Sequence, residues 1–468
     1  MRVFGGETEY GLTARTRLAD GRWRRMACDD AAQTLFASVA SEHATTNVFL
    51  PNGGRLYLDV GSHPEYATAE AADLLTLLTH ERAGDDLVAG LAARAVAEAE
   101  GDLDVRLFKN NADTHGNTYG SHENYQVSRD LDYALLTEAM VPFLVTRQII
   151  CGAGALRSGR FVLGQRSAFL RDLVSPDTTK SRPLINTRDE PLADPGRWRR
   201  LHVIAGDSNL GEATIALKWG ATLAVLEACE AALREGQVPF AELALADPSA
   251  VVLAASENPL AVLTRRDGTT ISALDVQRGF LAAVSDDGTP ERAWVLRTWT
   301  RVLDAVADDR ADDVADLVDW AAKRALLRRF RERHGVAPND PKLAAIDLAC
   351  HELGERDGRP AGLLRLMEAR GERVRLTNPK DVQRAQQEPP PGTRAHVRGA
   401  LVAAIRAHGR DAVVDWQSVT VRDFATGEVT VALPDPLVVA DAAAEALIRR
   451  ISQEPRVPAV RRFQLPNR

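Results

Sequence analysis

Glu7-Thr8-Glu9 sets two carboxylates two residues apart. On a strand, such positions share a face, so both would project into one space. Like charges held together need cations to neutralise them, and hard oxygen donors suit a divalent ion such as Mg²⁺. A solvated strand face fits the triplet equally well. Arg55-Leu56-Tyr57-Leu58-Asp59 is more pointed: alternation puts a guanidinium, a phenol and a carboxylate on one face, with Leu56 and Leu58 toward a core. Glu65, Thr68 and Glu70 follow, near the expected start of a helix. Arginine can grip phosphate oxygens in a bidentate fork, and carboxylates can hold the magnesium that bridges them. These are pieces of an ATP site.

His122 and Asn124 would share one face of a further polar strand, with Glu123 and Tyr125 on the other. His122 also fits a satisfied core residue, and His202 and the Asn186–Pro191 stretch also fit structural ion pairs. Two features fail as nucleotide motifs. Cys151-Gly152-Ala153-Gly154 opens like a dinucleotide fingerprint, but Arg157 stands where the third glycine belongs. No GxxxxGK[ST] loop occurs, so phosphate must be held by side chains and metal on a sheet.

The elements that must position these residues mix strands and helices without regular alternation, which predicts an α+β fold. Strands are expected over 7–15, 47–50, 55–59, 105–108, 122–127 and 201–204. Pro51-Asn52-Gly53-Gly54 forms a hairpin turn. Helices are expected near 29–39, within 68–99, over 212–235, and through much of 273–369. Gln386–Gly392, with three consecutive prolines, reads as a linker. It divides a catalytic domain over 1–388 from a small C-terminal domain over 393–468, with a helix near 396–407 and strands near 413–421 and 429–433.

Composition sets the outer bounds. At 468 residues, with 45% hydrophobic and 26% charged residues, the chain is an ordinary globular protein of more than one domain. No apolar run approaches the ~20 residues a membrane span needs. The N-terminus lacks the layout of a secretion signal, so a cytoplasmic protein is expected. A net charge of −7 argues against nucleic acid or anionic membrane as partner. The four cysteines stand far apart, without metal spacing, and read as core residues. Arg197–Arg200 and Lys323-Arg324 with Arg328-Arg329 read as solvated helix faces or local sites for phosphate or an acidic partner.

The motifs GETEYG at Gly6, NVFLPNGGRLYLDVGSHPEYATAE from Asn47 to Glu70, FKNN at Phe108, SHENY at Ser121, PFLVTRQIICGAG ending at Gly154, SRPLINTRDEP at Ser181, RRLHVIAGDSN at Arg199, TRAHVRG at Thr393 and Asp415-Trp416 together resemble the Pup ligase/depupylase family across nearly the whole chain. The resemblance implies a glutamine-synthetase-like domain, a curved antiparallel or mixed sheet backed by helices, plus the small C-terminal domain. It implies that ATP and Mg²⁺ are bound: Glu7, Tyr57 and Glu65 as metal ligands, Arg55, Thr68 and Trp416 as ATP contacts, and Asp59 as catalytic base. Glu9 joins the metal ligands from strand geometry alone. The implied activity phosphorylates the C-terminal glutamate of Pup, a ubiquitin-like modifier, and joins it by an isopeptide bond to lysines of target proteins, marking them for the proteasome. The short spacing between Phe36 and Asn47 favours a ligase over the depupylase, which carries a long insertion there. Leu192, Ser121 and Trp219 depart from the ligase pattern and leave open a paralogue that acts on another substrate.

Overall fold

The computed structural model describes residues 2–59, 61–113, 116–170, 172–176 and 182–456. Ser181, the first residue of its motif, and positions 457–468 of the expected C-terminal domain lie outside them.

The fold is α+β, as expected. Its centre is an eight-stranded sheet in the order Val174–Ser175, Ile185–Asn186, Trp198–Val203, Ser121–Ser128, Phe4–Glu9, Pro64–Ala67, Arg55–Leu58, Asn47–Phe49. Neighbours run antiparallel except the first two, so the sheet is mixed. Along Phe4–Glu9 and Ser121–Ser128, buried and half-buried positions alternate, the signature of one covered face and one open face. Phe4, Tyr125, Trp219, Leu77 and Val203 belong to the large hydrophobic cluster that backs the sheet. Helices Leu74–Glu98, capped by Asp73 accepting from the Thr76 amide, and Glu212–Arg234 lie in this layer.

Two expected elements change. The strand expected over 7–15 is two strands in different sheets. Gly11–Arg17 pairs with Trp23–Arg25 and Leu103–Phe108, whereas Phe4–Glu9 stays in the central sheet. The chain crosses at Gly11, where a Cβ would stand 2.9 Å from Asn110 Oδ1. The helix expected within 68–99 begins only at Leu74, and Glu65 is not near its start. Pro64–Ala67 is instead a strand paired on both sides. Strand pairing outweighs local helical preference there.

From Ala395 onward, helices Ala395–Ala407 and Ala442–Gln453 cover a three-stranded sheet. Their apolar faces form a cluster of their own around Leu401, Val419, Val421 and Leu447. The preceding proline segment is packed rather than loose: a Cβ on Gly399 would meet Pro389 Cγ at 2.9 Å.

Cys28 is exposed, while Cys151, Cys229 and Cys350 are buried as expected. Lys323 is fully buried and bonds Asp347 and the Gly154 carbonyl, both at 2.6 Å, so it belongs neither to a solvated face nor to a phosphate site. Among the described residues, no helix is long and apolar enough to cross a membrane.

Candidate functional site

Register brings the predicted residues together. Tyr57, Glu65 and Glu9 are successive partners across three strands. Arg55, Ala67, Glu7 and His122 form the next row. All lie on the face opposite the large core, as alternation requires. Asp59 leaves the end of Arg55–Leu58 in a tight turn, where its amide donates to the His63 carbonyl at 3.0 Å. Glu9, Asp59 and Glu65 can each bring one oxygen within 4.8 Å of the others.

The wall carries an uneven charge pattern. Burial pulls the Glu7 carboxyl upward, but the His122 hydrogen bond and the electrostatic influence of His202, His122 and Arg200 outweigh it and hold Glu7 well below the usual carboxylate range. His122 Nδ1 lies 3.2 Å from Glu7 Oε2, and Asn124 donates to Oε1 at 3.1 Å. Glu9 follows the same balance, with burial opposed by His63 3.5 Å away and by the charge of His122. Glu65 goes the other way. Burial first, then the neighbouring charges of Glu7 and Glu9, push its carboxyl well above the ordinary value. Tyr57 donates to Glu65, and burial together with Glu7 and Glu65 raises its phenol.

This pattern fits magnesium. Burial, and then the facing carboxylates of Glu7 and Glu9, disfavour the ionised form of Glu65, a strain that a divalent cation would relieve. Glu9 and Glu65 supply oxygen donors of the kind such an ion prefers. Glu7 gathers instead with His122 and His202, whose ligand atoms also lie within 4.8 Å of one another and which could hold a second ion. His202 Nε2 is buried without a hydrogen-bond partner and lies 4.0 Å from Glu7 Oε2. Burial first of all drives the His202 imidazole well below its usual value, which favours the neutral form that ligates.

Arg55 stacks 4.5 Å over the Tyr57 ring and donates through Nε to Asn47 at 2.8 Å. Beside the acidic wall opens a cavity lined by Gly5, Glu7, Thr68, Arg200, Leu192 and Trp416, among others. Thr68 is fixed at its edge, its hydroxyl accepting from the Gly6 amide at 3.0 Å. Trp416 arrives from the C-terminal unit, edge-on to Phe49 at 5.0 Å. Glu7, Glu9, Arg55, Tyr57, Asp59, Glu65, Thr68 and Trp416 therefore all lie on this wall or its rim. The arrangement can hold a metal-bound polyphosphate with a base at one end.

Sequence reasoning passed over several participants. Arg200, read as part of a local basic cluster, lines the cavity and bonds Asn124 Oδ1 at 3.0 Å. Glu70, grouped with the metal carboxylates, lies apart from them and is held by Arg394 and Arg398. The spacing of those arginines, four residues apart at a helix start, was the available signal. Trp219 packs against Phe4 and Tyr125 behind the sheet, so that departure from the family pattern alters core packing.

The model of the family described as Pup-ligase protein matches residues 2–420. The Pup–protein ligase of Saccharomonospora viridis is 42% identical over 468 aligned residues, 96% of this chain and 99% of its own. That of Actinosynnema mirum is 42% identical over 463 residues, with the same coverage. Among solved structures, the complex between prokaryotic ubiquitin-like protein Pup and its ligase PafA superposes with a TM-score of 0.87 at 37% identity, covering 96% of this chain and 91% of that one. The Pup ligase PafA in complex with ADP gives a TM-score of 0.80 at 37% identity, covering 91% and 94%.

Proposed function

The chain belongs to the Pup-ligase family, and we propose on that footing that its acidic wall is the active site of an ATP-dependent Pup–protein ligase. The observation that carries this reading is the gathering of Glu7, Glu9, Tyr57, Glu65, Arg55 and Asp59 on one sheet face beside the Thr68 and Trp416 cavity.

The chemistry asks for this set of groups. A carboxylate does not condense with an amine in water unless it is activated. The terminal glutamate of Pup attacks the γ-phosphorus; the new O–P bond gives a γ-glutamyl phosphate as the bond to ADP breaks. Arg55, with Nε committed to Asn47, has its Nη nitrogens to offset the charge that develops on the phosphoryl oxygens. Glu7, Glu9, Tyr57 and Glu65 would hold magnesium, which would supply positive charge against the phosphate oxygens. Thr68 and Trp416 border the nucleotide.

In the second half, the lysine nitrogen of a target protein attacks the acyl carbon and phosphate leaves. That amine is normally protonated, with a pKa of ~10.4, and freeing it near neutrality costs about 4–5 kcal/mol. Asp59 takes the proton as the bond forms. The product is an isopeptide bond.

The reading extends to the whole molecule. The proline segment before Thr393 divides a glutamine-synthetase-like catalytic domain from a small C-terminal one, supported by the separate hydrophobic cluster beyond it. The buried free thiols suit a cytoplasmic setting. The direct test is incubation with ATP, magnesium, Pup ending in glutamate and a lysine-bearing protein. A covalent adduct of Pup and target is expected. ATP turnover that does not depend on Pup would refute the substrate assignment in favour of a paralogous phosphotransferase, and net cleavage of a pre-formed conjugate would favour a depupylase.

A further inference from the structure

Glu70 lines the cavity beside the acidic wall. Its carboxylate accepts from Arg394 Nε at 2.6 Å and from Arg398 Nη1 and Nη2 at 2.9 and 2.5 Å. All three side chains are buried. Two guanidiniums around one carboxylate is an expensive arrangement to desolvate, and stability alone does not call for it.

The remaining donors of the two arginines show what the arrangement does. Arg398 donates to the Trp416 carbonyl at 2.9 Å and to the Gly53 carbonyl at 2.8 Å. Its guanidinium lies 4.9 Å from the Trp416 ring and 5.6 Å from Phe49. Arg394 donates to the Leu433 carbonyl at 2.8 Å and to the Leu192 carbonyl at 2.6 Å. Leu192 has a φ of 53°, a left-handed conformation that a leucine does not adopt without outside support. The Thr393 hydroxyl closes the set, donating to the Glu70 carbonyl at 2.8 Å. Hence the hairpin turn, the Leu192 segment, the end of the C-terminal sheet and the Trp416 turn are all tied to one carboxylate.

We propose that Glu70 is a positioning residue for the nucleotide: through Arg394 and Arg398 it sets where Trp416 and the Leu192 segment stand, and so governs affinity for the nucleoside triphosphate without contacting substrate. This rests on the reading of Trp416 as a nucleotide contact. Glu70 acts on ATP through the arginines and Trp416, whereas the Pup carboxylate and the target lysine meet other groups.

The test is a coupling measurement in the full-length enzyme, reading KM for ATP and for Pup separately. Trp416→Ala should raise the ATP KM by about tenfold, on the scale of one lost aromatic contact. Glu70→Gln should raise it to a similar degree, with kcat and the Pup KM within about twofold of the parent. Because Glu70 works through Trp416, the double variant should be little worse than Trp416→Ala alone. Arg398→Lys keeps a cation beside Glu70 but loses the fork that reaches Trp416, and should show the same non-additivity; it decides the matter if Glu70→Gln does not fold. Multiplying effects in the double variants, or a Pup KM that rises as much as the ATP KM, would overturn the proposal. An unchanged ATP KM in Trp416→Ala alone would instead remove the nucleotide reading beneath it.

Discussion

Gly84 and Gly90 lie in one helix, Leu74–Glu98, yet the same substitution should act on them in opposite directions. At Gly84 an added Cβ would stand 2.2 Å from Cδ1 and 2.3 Å from Cε1 of Tyr66. That ring is 1% exposed, and its hydroxyl is held by Asn52 at 3.0 Å, so it has no room to swing aside. At Gly90 nothing lies within 4 Å and the position is exposed. Alanine in a helix interior gains about 1 kcal/mol over glycine at either place. Overpacking a rigid core costs about 1–3 kcal/mol. Gly90→Ala should therefore stabilise by up to about 1 kcal/mol, and Gly84→Ala should destabilise, leaving the pair about 1–3 kcal/mol apart. Urea unfolding gives that difference directly, because helix propensity cancels between the variants. There is a functional consequence as well. Tyr66 lies between Glu65 and Ala67 on the strand that carries the acidic wall, so displacing its ring moves Glu65. Gly84→Ala should raise the magnesium concentration needed for half-maximal ligation, and Gly90→Ala should not. Equal stabilities and equal magnesium requirements in the two variants would refute the close packing of helix on strand described above.

Asp59→Asn should lower ligation by roughly 10²–10⁴-fold, the usual contribution of a positioned base, while ATP binding by calorimetry stays within a few-fold; an active variant removes the base role. Glu65→Gln should weaken magnesium binding and raise the metal requirement for turnover, because it deletes a carboxylate donor that stands opposite Glu9. His80 gives a stability prediction. Burial drives its imidazole down to about 4, and Nδ1 has no hydrogen-bond partner. The unfolded chain binds this proton near 6.5 and the folded chain does not, so its contribution is fully present above that pH and is lost as pH falls toward 4. The loss amounts to about 3 kcal/mol, from ~2.5 pKa units at ~1.36 each. His80→Leu should flatten the acid limb of stability against pH between those limits; an unchanged slope would rule His80 out as its source.

Much of the site was legible along the chain because it is built from strand alternation. Glu7 with Glu9, Arg55 with Tyr57 and Asp59, and His122 with Asn124 share faces by parity alone, and parity survives folding. The large helices and the separate C-terminal cluster followed from apolar periodicity and from the proline run. What parity could not supply was pairing. That Glu9 stands opposite Glu65, and Glu7 opposite His122, depends on which strands become neighbours, and residues 56 to 115 positions apart carry no local mark of that choice. Pro64–Ala67 looked like a helix approach because its strand character comes only from partners on both sides. The raised Glu65, the lowered His202 and the Glu70 contacts with Arg394 and Arg398 exist only once burial removes water and brings distant charges together. The chain by itself determines which side chains can do the chemistry, and the tertiary structure decides which charges face one another and at what protonation, because desolvation and Coulomb energy depend on distances through space.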